Sequence, residues 1–126
     1  MINTIEQLGR NAGRLWEVLN SNGPLTESQL LDFSSLRPYE FYIATGWLAR
    51  EDKISKDEEL FVLGKTNLTS EIGTNAGKIW SLLCSKGEID IPSISTMAGL
   101  NHEQTFSALG WLARENKIQI TLFDKD

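Results

Sequence analysis

The sequence predicts a mainly α-helical fold with small β wings, an α+β class, built as two tandem units packed as a pseudo-symmetric pair. Three observations predict it. The first is an internal repeat. Sliding the 126-residue chain against itself by 64 positions aligns Gly9, Asn11-Ala12-Gly13 and Trp16 with Gly73, Asn75-Ala76-Gly77 and Trp80. In the same frame Gly46-Trp47-Leu48-Ala49-Arg50-Glu51 falls on Gly110-Trp111-Leu112-Ala113-Arg114-Glu115. The second is apolar residues at helical spacing, repeated in each copy. The third is a pair of short extended runs late in the first copy. The junction falls near Gly64-Lys65-Thr66-Asn67, which sets expected domains over residues 1–64 and 65–126.

Each element follows from local chemistry. Leu8, Ala12, Leu15, Trp16 and Leu19 make one apolar stripe on a first helix, as do Ile72, Ala76, Ile79, Trp80 and Leu83 in the second copy. Thr4 with Gln7 suits a capping box at its start. Gly23 and Gly87 stand where a left-handed cap should end it. A short extended piece follows, around Leu25 or Ile89. Thr26-Glu27-Ser28-Gln29 is a second capping box and opens a shorter helix carrying Leu30 and Phe33. In the second copy Asp90 can cap the helix carrying Ile94 and Met97. The third helix starts at Pro38, a good first-turn residue, or after Asn101, a good cap. It runs to about Glu51 or Glu115. Lys53 to Lys56 and Leu60 to Leu63 then predict two strands around Asp57-Glu58-Glu59.

Helix, short strand, helix, turn, helix, hairpin is the order of a winged helix-turn-helix. The second copy has only Lys117 to Phe123 for its wing, so that wing is expected to be shortened. An open edge near Ile118 to Leu122 is then expected to pair with another chain or with the first copy. Single small copies bury little core, so each should gain by docking on the other.

The repeated motifs carry a resemblance. Leu8-Gly9-Arg10-Asn11-Ala12-Gly13-Arg14-Leu15-Trp16 and Ile72-Gly73-Thr74-Asn75-Ala76-Gly77-Lys78-Ile79-Trp80 resemble one signature of a family of small winged helix-turn-helix domains of unknown function, found in bacteria and archaea. Gly46 to Ile54 and Gly110 to Ile118 are similar to its other signature, Gly-Trp-Leu-Ala-Arg-Glu-x-Lys-Ile. The resemblance covers nearly the whole chain and implies the fold. Members usually resemble single domains, so the tandem copy is a departure. No activity comes with it, because a fold alone does not fix function.

Charge argues against bulk adhesion to nucleic acid or anionic lipid. The chain carries 12 Lys and Arg against 17 Asp and Glu, a net charge of −5. Residues 1–64 hold 6 basic and 10 acidic side chains and residues 65–126 hold 6 and 7, so neither unit is a basic module. In a winged helix that reads DNA, the third helix enters the major groove and the wing meets phosphate. At 3.6 residues per turn, Phe41, Ala44, Thr45 and Leu48 share the inner face of that helix, as do Ala108, Leu109 and Leu112. The outer face holds Tyr39, Ile43, Gly46 and Arg50, or Glu103, Ser107, Gly110 and Arg114. Each outer face has one basic residue, and the acidic wing tip would repel phosphate. If DNA is bound, Arg37, Tyr39, Arg50, Lys53, Arg114 and Lys117 are the candidate contacts.

Glycine inside a helix costs about 1 kcal/mol relative to alanine. Gly46-Trp47 and Gly110-Trp111 repeat that cost in both copies, so something should pack close to the backbone there. Internal packing would fold Trp47 or Trp111 over the first helix, with Gly13 or Gly77 making room. The functional alternative makes Gly46, Trp47, Gly110 and Trp111 a surface for the other copy, another chain or a partner, because Trp is enriched at the centres of such contacts. Two buried third helices would favour assembly; one continuous basic stripe across them would favour DNA.

No catalytic constellation, metal-ligand spacing or cofactor motif is found, so neither an enzyme nor a cofactor is expected. His102 has Pro38 as its counterpart and suits a surface or capping place. Cys84 has Asn20 as its counterpart and no basic neighbour but Lys86, which suits a plain small side chain. Phe41 is expected in the core, with Tyr42 bridging core and rim. There is no apolar run long enough to span a membrane and no apolar signal core. The expectation is a cytoplasmic, non-enzymatic interaction or assembly module with a protein partner or self-association. A DNA-binding regulator is the alternative, and neither a membrane nor a small-molecule site is expected.

Overall fold

The computed structural model describes residues 4–121. Helix α1 (Thr4–Asn22), strand β1 (Leu25–Thr26), helices α2 (Glu27–Ser34) and α3 (Pro38–Arg50), and strands β2 (Ile54–Asp57) and β3 (Leu60–Leu63) make the first unit. A π-helical turn (Thr69–Gly73) leads into α4 (Thr74–Lys86), α5 (Ile91–Ala98) and α6 (His102–Arg114) of the second. The architecture is the mainly helical, winged helix-turn-helix one, in two tandem copies.

The local signals decide most boundaries. Thr26 Oγ1 accepts from the Gln29 amide while the Gln29 side chain accepts from the Thr26 amide, closing a capping box on α2. Asn101 and Gln104 close the same box on α6. Asp90 caps α5 by accepting from the Ser93 hydroxyl and amide; those two bonds hold its carboxyl below the ordinary range. Thr4 is the first described residue of α1, and Gln7 donates to Asn11 Oδ1 at 3.0 Å.

The wing is a three-stranded antiparallel sheet in the order β1-β3-β2. Leu25 pairs with Phe61, and Ile54 pairs with Leu63. The tight turn at Glu58 and Glu59 lets β3 return between β2 and β1, so Ile54 and Phe61 point into the core. Among the described residues the second unit has no strand. The expected open edge is corrected in part: Ile118 is half-buried and Ile120 is buried against the second core, where apolar burial holds them without a ladder. Leu122 and Phe123 lie outside the described residues.

Two apolar cores result, and each takes side chains from both units. The first gathers Leu15, Leu30, Phe41, Leu48, Ile54 and Phe61 with Leu68 and Ile72. The second gathers Ile79, Ile94, Leu109 and Leu112 with Leu8 and Ile43. Leu8 and Ile72 are equivalent positions of the repeat, so the exchange is reciprocal. Phe41 stacks edge-on to Phe61 at 5.5 Å, and Tyr42 sits at the rim. Three large apolar residues of the helices face outward, Trp80 of the predicted stripe among them. Phe33 and Met97, at equivalent places on α2 and α5, are 56% and 50% exposed, and Trp80 is 36% exposed. On helices of only two turns a single apolar residue such as Leu30 or Ile94 suffices to anchor the inner face.

Candidate functional site

The site begins with the two glycines of the duplicated hexapeptide. A Cβ added at Gly46 would land on the carbonyl oxygen of Ser107, and one added at Gly110 would land on that of Ile43. Gly46 and Gly110 are equivalent, and so are Ile43 and Ser107. Helices α3 and α6 therefore cross backbone to backbone, with the same patch used from both sides, the isologous geometry of a two-fold interface. Only glycine permits this approach. Around the crossing Ile43 is 1% exposed and Ser107 7%. The inner face of α3 is buried too, at Phe41, Ala44, Thr45 and Leu48. A helix buried on both faces is a core element, and the outer face that a DNA-reading winged helix would present is occupied by the other unit.

The tryptophans lock each third helix to its own first helix. A Cβ at Gly9 would stand 3.2 Å from the Trp47 ring, and one at Gly73 would stand 3.4 Å from the Trp111 ring. Gly13 and Gly77 meet nothing within 4 Å. Trp47 and Trp111 thus fold over the first helix as internal packing requires, but the glycine making room is one helical turn earlier. Both rings also touch both cores. Gly46, Trp47, Gly110 and Trp111 lie together at the junction of the two units.

At the C-terminal ends of α3 and α6 the charges interlock. Arg50 Nε donates to Glu115 Oε2 at 3.0 Å and Arg114 Nε donates to Glu51 Oε2 at 2.9 Å. Each guanidinium also lies near the opposite tryptophan: Arg50 is 5.7 Å from the Trp111 ring centroid and Arg114 is 5.9 Å from that of Trp47. Lys53 stands 3.6 Å from Glu51, and Lys117 stands 3.5 Å from Glu115 and 5.5 Å from the Trp80 ring. Four of the six candidate phosphate contacts therefore converge on two carboxylates. Half-exposed pairs of this kind contribute about 0–1 kcal/mol each and are screened by salt. They set the register of the crossing; the buried helix faces hold it together.

The other two candidates sit at the opposite end of α3. Arg37 caps the helix, its amide donating to Glu40 Oε1 at 2.8 Å. Tyr39 packs on Phe106 with ring centroids 5.7 Å apart, and His102 stacks on the same ring at 5.7 Å. Sequence reasoning missed Glu51 and Glu115 as the partners of the arginines. The available signal was their place in the same duplicated hexapeptide, one residue after each arginine. No described helix is long and apolar enough to cross a membrane.

The model of a winged helix-turn-helix domain family, DUF2582, matches the chain twice, over residues 2–63 and residues 66–126. No curated protein and no solved structure matches it.

Proposed function

The chain belongs to the winged helix-turn-helix family DUF2582, in two tandem copies, and on that footing we propose that it is a non-enzymatic protein-interaction or assembly module. One observation carries this reading: the outer faces of α3 and α6, where a DNA-reading member would meet bases, are buried against each other through Gly46 and Gly110. Electrostatics point the same way. Arg50, Lys53, Arg114 and Lys117 are matched to Glu51 and Glu115, while strong DNA binding needs about half a dozen phosphate contacts. The wing tip carries the exposed carboxylates Asp57, Glu58 and Glu59, which repel a phosphate backbone. Phe33 and Met97 support the interaction reading, because the duplication presents an exposed apolar side chain twice, at equivalent places.

The test is a titration of fluorescently labelled duplex DNA of mixed sequence at low and near-physiological salt. No binding even at low salt is the expected result. Binding that weakens steeply with salt, and is lost in Arg50→Ala/Arg114→Ala, would instead establish a DNA-binding regulator working through the third helix of each unit.

A further inference from the structure

The two units repeat the same helices but not the same covering. In the first unit β3 runs between β1 and β2, packs on α1 and delivers Phe61 to the core beside Leu19 and Leu25. The places that flank β3 recur in the second unit. Asp90 is extended at φ −72° and ψ 152°, like its equivalent Thr26 at φ −76° and ψ 166°. The exit from α6 repeats the exit from α3. The Lys117 amide donates to the Leu112 carbonyl as that of Lys53 does to Leu48, and Asn116 and Asp52 both take the left-handed conformation. Residues 118–121 therefore leave α6 as β2 leaves α3. Among the described residues no strand stands between them and Ile89-Asp90, in the place of β3. By the repeat, Leu60, Phe61 and Val62 fall on Asp124, Lys125 and Asp126, which bring no apolar side chain to that place.

The second unit is uncovered where β3 covers the first. Leu19 and Leu25 are 2% and 7% exposed, whereas their equivalents Leu83 and Ile89 are only half-buried. Ile54 is buried and its equivalent Ile118 is half-buried. Trp16 is half-buried and its equivalent Trp80 is exposed. The Lys117 ammonium lies 5.5 Å from the Trp80 ring centroid, which places that tryptophan beside the start of residues 118–121. Ile120 stands in the place of Lys56 and is buried in the second core, so it closes part of the gap. Trp80, Leu83, Ile89 and Ile118 remain as the walls of an apolar groove.

We propose that this groove binds an extended segment of a partner protein, a strand with one large aromatic residue among aliphatic ones, added where β3 lies in the first unit. The first unit displays what fits: Leu60-Phe61-Val62-Leu63, antiparallel to both neighbours, with Phe61 3% exposed. In such strand addition the backbone pairing gives affinity and the side chains give selectivity. The inference rests on the interaction reading and names the chemistry of the partner. The DNA titration tests that reading, and a separate titration tests the groove.

The probe is the sequence of β3 as a free peptide, Asp57–Lys65, added to the whole protein and followed by the amide resonances of the labelled chain. Saturable shifts are expected at Trp80, Leu83, Ile89 and residues 118–121, with the wing of the first unit unmoved. A peptide carrying Phe61→Ala should bind about tenfold more weakly or worse, the loss of one buried aromatic side chain. Leu83→Asp in the protein should abolish binding, while Phe33→Asp, an exposed apolar site elsewhere, should leave it unchanged. If Leu83→Asp unfolds the protein, the alanine peptide and the map of shifts decide. Absence of saturable shifts, shifts centred on Phe33 and Met97, or equal binding of the alanine peptide overturns the proposal. Binding seen only in a Leu122→Ser/Phe123→Ser variant would make the chain's own residues 122 and 123 the occupant, and overturns it as well.

Discussion

Gly46→Ala and Gly110→Ala should each destabilise the protein by about 3 kcal/mol, the upper end of overpacking penalties. The added methyl meets a backbone carbonyl, Ser107 in one case and Ile43 in the other. A side chain could rotate away; a helix backbone cannot, so α3 and α6 must separate. That loss outweighs the gain of about 1 kcal/mol that alanine brings to a helix interior. Gly13→Ala and Gly77→Ala supply the control. Both sites are exposed helix positions with nothing within 4 Å, and each should gain about 0.5–1 kcal/mol. The Gly46/Gly110 double variant should lose less than the sum of the two singles, because one separation of the helices relieves both clashes. Urea denaturation followed by circular dichroism reads all five variants. Equal behaviour at Gly46 and Gly13 would show that the crossing does not form.

Trp47→Ala and Trp111→Ala should each cost about 3 kcal/mol. Complete removal of a buried aromatic costs about 3–5 kcal/mol, and these rings are half-buried. They nevertheless join three partners: the first helix at Gly9 or Gly73, both cores, and the arginine of the other unit. A tryptophan held on the surface for an outside partner would behave differently, since substitutions away from packed features change stability by no more than about 0.5 kcal/mol. The same denaturation experiment separates the two cases. A loss of about 3 kcal/mol assigns the rings to the junction between units, and a near-neutral effect assigns them to an external surface.

The parts of the fold that depend on neighbouring residues were legible in the sequence. Thr26 with Gln29, Asp90 with Ser93 and Asn101 with Gln104 are local pairs, so the helix starts they dictate form as expected. The stripe Leu8, Ala12, Leu15 and Leu19 is likewise buried as its spacing requires. What periodicity does not contain is the identity of the surface opposite a helix. Tyr39, Ile43, Gly46 and Arg50 fall on the outer face of α3 on any wheel, and an outer face is solvent only if nothing docks there. The docking surface is the same face of α6, 64 residues away. Its traces were Ile43, an apolar residue on that face, and the repeated Gly46 and Gly110.

The exchange of Gly9 for Gly13 has a similar cause. The two glycines stand four residues apart, one turn along one face of α1, so spacing alone does not choose which receives the Trp47 ring. The height of Trp47 along α3 decides it. Helix α2 is only eight residues long, so Leu30 fills its inner face and Phe33 on the same helix is left exposed.

The central claim is that α3 and α6 bury their outer faces against each other, and proton–proton distances test it most directly. A nuclear Overhauser spectrum of the labelled protein should connect the Gly46 Hα protons to Ser107 Hα and the Gly110 Hα protons to Ile43 Hα, because no side chain separates those backbones. Both contacts together, at equivalent places of the repeat, are the predicted result. Their absence, with Ile43 and Ser107 contacting only solvent or their own helices, would contradict the account and return the third helices to the solvent as free surfaces for DNA.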